Sequence, residues 1–102
     1  MSIEHTNILG CELLIPHLIS DNRGYFYELW NKKTWSDIDL NYDFVQDNIS
    51  ASVKGVLRGV HTQLIYPQAK IVGCLKGAIY DVVVDCRPNS PTFEMWHGEV
   101  LN

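Results

Sequence analysis

The chain has 102 residues, enough for one domain, and 46% of them are hydrophobic, which excludes a disordered polypeptide. A domain of this size buries roughly 65% of its unfolded surface, enough for one core with little reserve. Lys plus Arg number 8 against 12 Asp plus Glu, a formal net charge of −4, which disfavours general nucleic-acid binding and leaves room for a local basic pocket that takes a small anion.

The opening "MSIEHTNILG" has no basic region followed by an apolar stretch, so it is not a secretory signal and reads as a tail carrying His5. "CELLIPHLI" is the first strand-like run, "SDNRG" a turn, and "YFYELW" an aromatic strand. "NKKTWSDIDLNYD" is polar and irregular, with a helical turn in it. "FVQDNISAS" and "VLRGVHTQ" follow as strands, then the loop "LIYPQ" and the strand "AKIVGCL". "KG" reads as a hairpin turn into "AIYDVVVD", the most convincing strand of the chain. "CRPNSPT" is a loop with two prolines, and "FEMWHGEVLN" begins a last strand.

Short strands separated by turns, with no helical periodicity and no repeat, predict an all-β barrel or sandwich in a single domain, 1–102. The chain stops in or just after a strand. An open sheet edge carries unpaired backbone groups, so a partner covers it or the barrel is incomplete at its C-terminal end. Cys11, Cys74 and Cys86 lie far apart, with no Cys-x-x-Cys pair and an odd count. That argues against a disulfide framework or a zinc site and fits a reducing cytoplasm. No apolar run approaches the roughly 20 residues that span a bilayer, so no membrane partner is expected.

The polar residues of these strands raise the question of chemistry. Alternation places Gln46, Asn48 and Ser50 on one face, either a solvated face or the lining of a polar pocket. His61 and Gln63 share a face, with Arg58 on the other unless Gly59 marks a bulge that turns Arg58 and His61 into one cavity. Lys70 either snorkels to the surface or supplies a fixed inward cation. Asp81 and Asp85 share a face with Ile79 and Val83. Asp85 starts the next loop or pairs with Arg87, while an inward Asp81 is a possible orienting acid for a histidine or Lys70. Read alone, Arg23 is an exposed turn residue, and His5, His17 and His97 receive no role. The run His61-Thr62-Gln63 lacks the second histidine of a His-x-His metal site, and Gln68 and Lys70 stand where a carboxylate ligand is needed, so no metal is expected.

In order and spacing, "DNRGYFYELW", "FVQDNISAS", "KGVLRGVHTQ", "PQAKIV" and "GAIYDVVVDCRPNSPTF" resemble the dTDP-4-dehydrorhamnose 3,5-epimerase family of the cupin superfamily. The resemblance implies a cupin jelly-roll β-barrel that is homodimeric, cytoplasmic and free of metal and cofactor. The substrate it implies is a dTDP-4-keto-6-deoxyhexose on the route to dTDP-L-rhamnose. It makes His61 the general base and places Arg23, Glu28, Gln46, Asp47, Asn48, Arg58 and Lys70 at substrate-binding positions.

The residue types suit that chemistry. Histidine takes a proton near neutrality. An ammonium at Lys70 aimed at the ketone oxygen stabilises an enolate. Arginine forks suit a diphosphate. Val60 and Thr62 stand where the family usually has leucine and an aromatic residue. Family members also continue further. That continuation carries the tyrosine that acts as acid, a later histidine, the aspartate paired with the base and an aromatic residue that stacks on thymine. The alternative reading is therefore a non-catalytic sugar-nucleotide-binding or dimer-partner fragment.

Overall fold

The computed structural model describes residues Met1–Asn102 and divides them into two compact units, Met1–Asn41 with Val72–Asn102, and Tyr42–Ile71. Regular structure is confined to the first unit. It holds three antiparallel two-stranded sheets and one short helix.

β1 (Ser2–His5) pairs with β2 (Glu12–Ile15), in register Ser2 to Ile15 and His5 to Glu12. The opening segment is therefore a strand and not a tail, and His5 Nδ1 lies 3.1 Å from Glu12 Oε1 across the pair. The link between them is closed by Thr6, whose hydroxyl donates to Cys11 O at 2.7 Å and accepts from Ile8 N. Ile8, at its tip, is 4% exposed and belongs to the small core.

The predicted strand over 11–19 is broken at Pro16, which has no N–H for a ladder. β3 (Ile19–Asp21) resumes and pairs with β4 (Gly24–Phe26). The turn falls within "SDNRG", as expected, and Gly24 sits at φ +135, where a side chain is strained. The helical turn is α1 (Lys32–Ser36). Asn31 caps it, its side chain accepting from Lys33 N and Thr34 N at 2.9 and 3.3 Å. Asp39 (φ 63) closes the other end, and Leu40 N returns to Trp35 O at 2.9 Å. The Trp35 side chain is 4% exposed.

β5 (Ile79–Val84) pairs with β6 (Trp96–Leu101), Ile79 opposite Leu101 and Val84 opposite Trp96. Tyr80 lies across Gly98 so closely that a Cβ there has no room. The pairing bulges at its loop end, where Asp85 O accepts from Glu94 N and Asp85 N donates to Met95 O. "KG" does not form a hairpin, because the partner of β5 is β6, and 69–75 contains no strand.

Asp85 is the one buried acid, its side chain 1% exposed. It accepts from Arg87 Nε at 2.8 Å and Nη2 at 2.8 Å, and from Ser90 Oγ and Thr92 Oγ1 at 2.6 Å each. Arg87 Nη2 also donates to Leu9 O at 2.5 Å, and Leu9 N donates to Thr92 Oγ1. The carboxylate thus organises the 85–92 loop and, through Arg87 and Thr92, fastens the β1–β2 connection to it.

The second unit departs from expectation. "FVQDNISAS" and "VLRGVHTQ" form no strand, and Val56 N to Val53 O is the backbone bond that this unit makes within itself. A strand persists only where a neighbour takes its backbone groups, and none of the three sheets includes these residues.

The Asp85 arrangement generates a prediction. Arg87 first, then Ser90 and Thr92, hold the Asp85 carboxyl well below the usual carboxylate range. A depressed folded-state value stabilises above the unfolded value of about 3.9 and loses that effect as pH falls toward the folded one. Amide exchange protection at Leu9 and Glu94, corrected for intrinsic rates, should hold from neutrality to about pH 4 and fade below it. Asp85→Asn should reduce that protection at least about tenfold at pH 7 and flatten its acid dependence. Unchanged protection in this variant would contradict the role.

Candidate active site

The residues expected to bind ligand occupy both units. In the first, Asp21 folds an Asx turn, accepting from Arg23 N at 2.8 Å, and chelates the Arg23 guanidinium through Nε at 3.1 Å and Nη2 at 2.5 Å. The Arg23 side chain and then its backbone N–H lower the Asp21 carboxyl, and Asp21 in turn raises Arg23. Arg23 is 86% exposed, and its Nη1 makes no hydrogen bond. It can meet an anion without leaving Asp21.

Glu28 accepts from Asn31 Nδ2 at 3.0 Å and Thr34 Oγ1 at 2.9 Å, so the helix cap fixes its carboxylate. Asp81 lies on β5 directly opposite Glu99 of β6, with His97 Nε2 3.4 Å from Glu99 Oε2 on the same face. Like charges directly opposed in a sheet are unfavourable unless a cation is near. Asp81 therefore suits a cationic partner.

In the second unit, Gln46 Nε2 donates to Asn48 Oδ1 at 3.2 Å, placing the two amides on one side, as alternation predicts. Asp47, between them, is exposed. Arg58 is anchored by Nε to Ser52 Oγ at 3.1 Å and by Nη2 to Ala51 O at 3.2 Å, again leaving Nη1 for a ligand. The β-bulge that was one of two readings at Gly59 is absent, because there is no ladder to bulge. The glycine acts differently. It has φ +96, and the His61 ring folds back over it, with Nδ1 3.3 Å from where a Cβ would stand. No hydrogen bond joins Arg58 to His61, and the His61 ring nitrogens are free for chemistry. Gln63, predicted to share a strand face with His61, donates through Nε2 to the carbonyls of Ile65 and Tyr66, both at 3.0 Å. Lys70 is exposed and makes no ion pair. No group of three or more His, Cys, Asp or Glu side chains is placed to share a metal ion.

Sequence reasoning missed Asp21 as the partner of Arg23, though Asp two residues before Arg within "DNRG" is an Asx-turn signal. It also missed the Glu99–His97 pair beside Asp81, which depends on strand register.

The family model described as dTDP-4-dehydrorhamnose 3,5-epimerase matches residues 5–102. An epimerase of that name from Methanothermobacter thermautotrophicus is 45% identical over 97 residues, covering 95% of this chain and 52% of its own. The Escherichia coli enzyme is 46% identical over 105 residues, covering 100% and 56%. The chain belongs to the dTDP-4-dehydrorhamnose 3,5-epimerase family. It spans about half the length of the curated relatives it matches.

Its backbone follows the Bacillus anthracis epimerase crystal structure with TDP and PPi bound at a TM-score of 0.91 and 41% identity, covering 99% of this chain and 59% of that one. The Legionella pneumophila epimerase in complex with dTDP-4-keto-L-rhamnose matches at 0.90 and 43% identity, covering 99% and 54%. The fold class is therefore the all-β cupin jelly roll, represented here in part.

The contact between Gly59 and His61 is testable. Gly59→Ala forces a Cβ against the ring and strains a positive-φ residue by about 1–3 kcal/mol. The His61 ring resonances should move in NMR spectra of the variant while β5 and β6 amide signals stay in place. Unmoved His61 resonances would contradict the packing.

Proposed function

We propose that the chain carries the base and much of the binding surface of a sugar-nucleotide 3,5-epimerase. The reaction is epimerisation at C3 and C5 of dTDP-4-dehydro-6-deoxyglucose to dTDP-4-dehydro-L-rhamnose, in dTDP-L-rhamnose biosynthesis. Residues 1–102 are on this reading the N-terminal and central part of one epimerase domain, cytoplasmic and homodimeric. The observation that carries it is the family match over 5–102, which contains every residue assigned a role. The Bacillus anthracis relative binds TDP and the Legionella pneumophila relative binds dTDP-4-keto-L-rhamnose, which supports a dTDP-sugar as ligand.

The reaction uses the acidity of carbons beside a ketone. His61 takes the proton from C3 or C5, and the electron pair moves into the carbonyl to give an enolate. Lys70 stands by the carbonyl oxygen and stabilises that charge, with Asp81 as the acid that orients Lys70 or a histidine. Protonation from the opposite face by a separate acid, other than His61, inverts the carbon. The substrate's own ketone is the electron sink, so the chemistry needs no cofactor. Arg23 and Arg58 each keep a spare Nη1 group that suits a diphosphate oxygen. Glu28, Gln46, Asp47 and Asn48 read polar groups of the nucleotide and sugar. The second reading is a non-catalytic fragment that binds sugar nucleotide or pairs with another subunit. It is the outcome if the chain binds sugar nucleotide without exchanging its protons.

Incubation with dTDP-4-keto-6-deoxyglucose in D2O, followed by NMR, separates the two. Deuterium at both C3 and C5 supports the epimerase, and exchange without inversion means that the base works without its acid. His61→Ala should slow exchange by a factor of about 10²–10⁴. A folded chain that exchanges neither carbon overturns the catalytic reading, and full exchange in His61→Ala overturns the assignment of the base.

A further inference from the structure

His61 and Lys70 belong to the same unit and are joined by residues 62–69. Little holds that connection in place. No backbone–backbone hydrogen bond involves residues 57–71, and none of the three sheets includes them. Packing adds little, since Leu64 is 84% exposed, Ile65 74% and Tyr66 83%. Tyr66 also stands at φ 56, immediately before Pro67. A bulky side chain disfavours the left-handed region, and a residue before proline favours extended backbone. Such a residue keeps its conformation only where its surroundings impose it.

The hydrogen bonds formed within 59–71 all come from Gln63. Its Nε2 donates to Ile65 O and to Tyr66 O, each at 3.0 Å. An amide nitrogen carries two N–H groups, one for each carbonyl. We infer that Gln63 is a positioning residue: its amide folds the turn at 64–66 and so sets where the chain delivers Lys70 after His61. It acts through the backbone, since neither of its bonds reaches His61 or Lys70. The inference deepens the epimerase reading and rests on it for the roles of His61 and Lys70. Diphosphate binding is independent of the turn. Arg58 is anchored upstream by Ala51 and Ser52, and Arg23 is anchored in the other unit by Asp21.

Gln63→Glu keeps the size of the side chain and replaces its two donors with an acceptor, which the carbonyl oxygens repel. In the isotope-labelled full chain, Tyr66 at positive φ should give a strong NOE between its own amide and α protons. That NOE should weaken in Gln63→Glu and the amide signals of 64–70 should move, while those of β5 and β6 stay in place. With dTDP-4-keto-6-deoxyglucose in D2O, the variant should exchange the C3 and C5 protons at least about tenfold more slowly. Its affinity for dTDP, read by ³¹P NMR, should stay within about twofold of the unsubstituted chain. A weak Tyr66 NOE in the unsubstituted chain, or one that Gln63→Glu leaves unchanged, overturns the inference. Full-rate exchange in a variant whose turn has opened also overturns it. So does loss of dTDP affinity along with exchange, the mark of a general structural role. An unsubstituted chain that exchanges neither carbon counts against the epimerase reading alone, and the Tyr66 NOE still decides whether Gln63 sets the turn.

Discussion

A single buried carboxylate fastens the loop after β5 to the connection between β1 and β2. Asp85 sits where β5 ends and gathers Arg87, Ser90 and Thr92. Arg87 and Thr92 then reach the Leu9 backbone, so a loop late in sequence fixes a loop near the N-terminus. Few apolar side chains share this work, since Ile8 and Trp35 are the buried hydrophobic residues. A buried acid is tolerable because its acceptor sites are filled by donors.

The same economy shapes the candidate site. Glu28 is held by the cap of α1, Arg23 by the Asx turn of Asp21, and Arg58 by Ser52 and Ala51. Each charged group is anchored locally, by residues within a few positions in sequence. His61 and Lys70, proposed for proton abstraction and enolate stabilisation, have no such anchor, and neither have Asp47 and Asp81. A base that accepts a proton from substrate needs an unoccupied ring nitrogen, and His61 has one.

Local signals were legible in the sequence. "SDNRG" placed the β3–β4 turn, the polar run after Trp30 contained the helical turn, and "AIYDVVVD" was a strand. The pairing of Asp85 with Arg87 was one of two readings, and the structure adopts it. Non-local partnering was not legible. β1 hides in an opening too short and polar to show alternation, and it exists because β2 returns beside it. The partner of β5 is a strand some dozen residues downstream and not the nearer "AKIVGCL". The runs at 44–52 and 56–63 have strand composition without strand structure, because composition supplies a preference and a neighbour supplies the ladder. Motif order did what periodicity could not. The series from "DNRGYFYELW" to "CRPNSPTF" pointed to the family that the comparisons show.

The central proposal is that Arg23 and Arg58 each contribute to binding the diphosphate of a dTDP-sugar. The most direct measurement is a ³¹P NMR titration of dTDP with the full chain. Both phosphorus resonances should shift saturably, and replacing Arg23 and Arg58 together with glutamine should weaken the binding at least about tenfold, or about 1.4 kcal/mol. Phosphorus resonances that do not move, or that move equally with the arginine variant, would contradict the account.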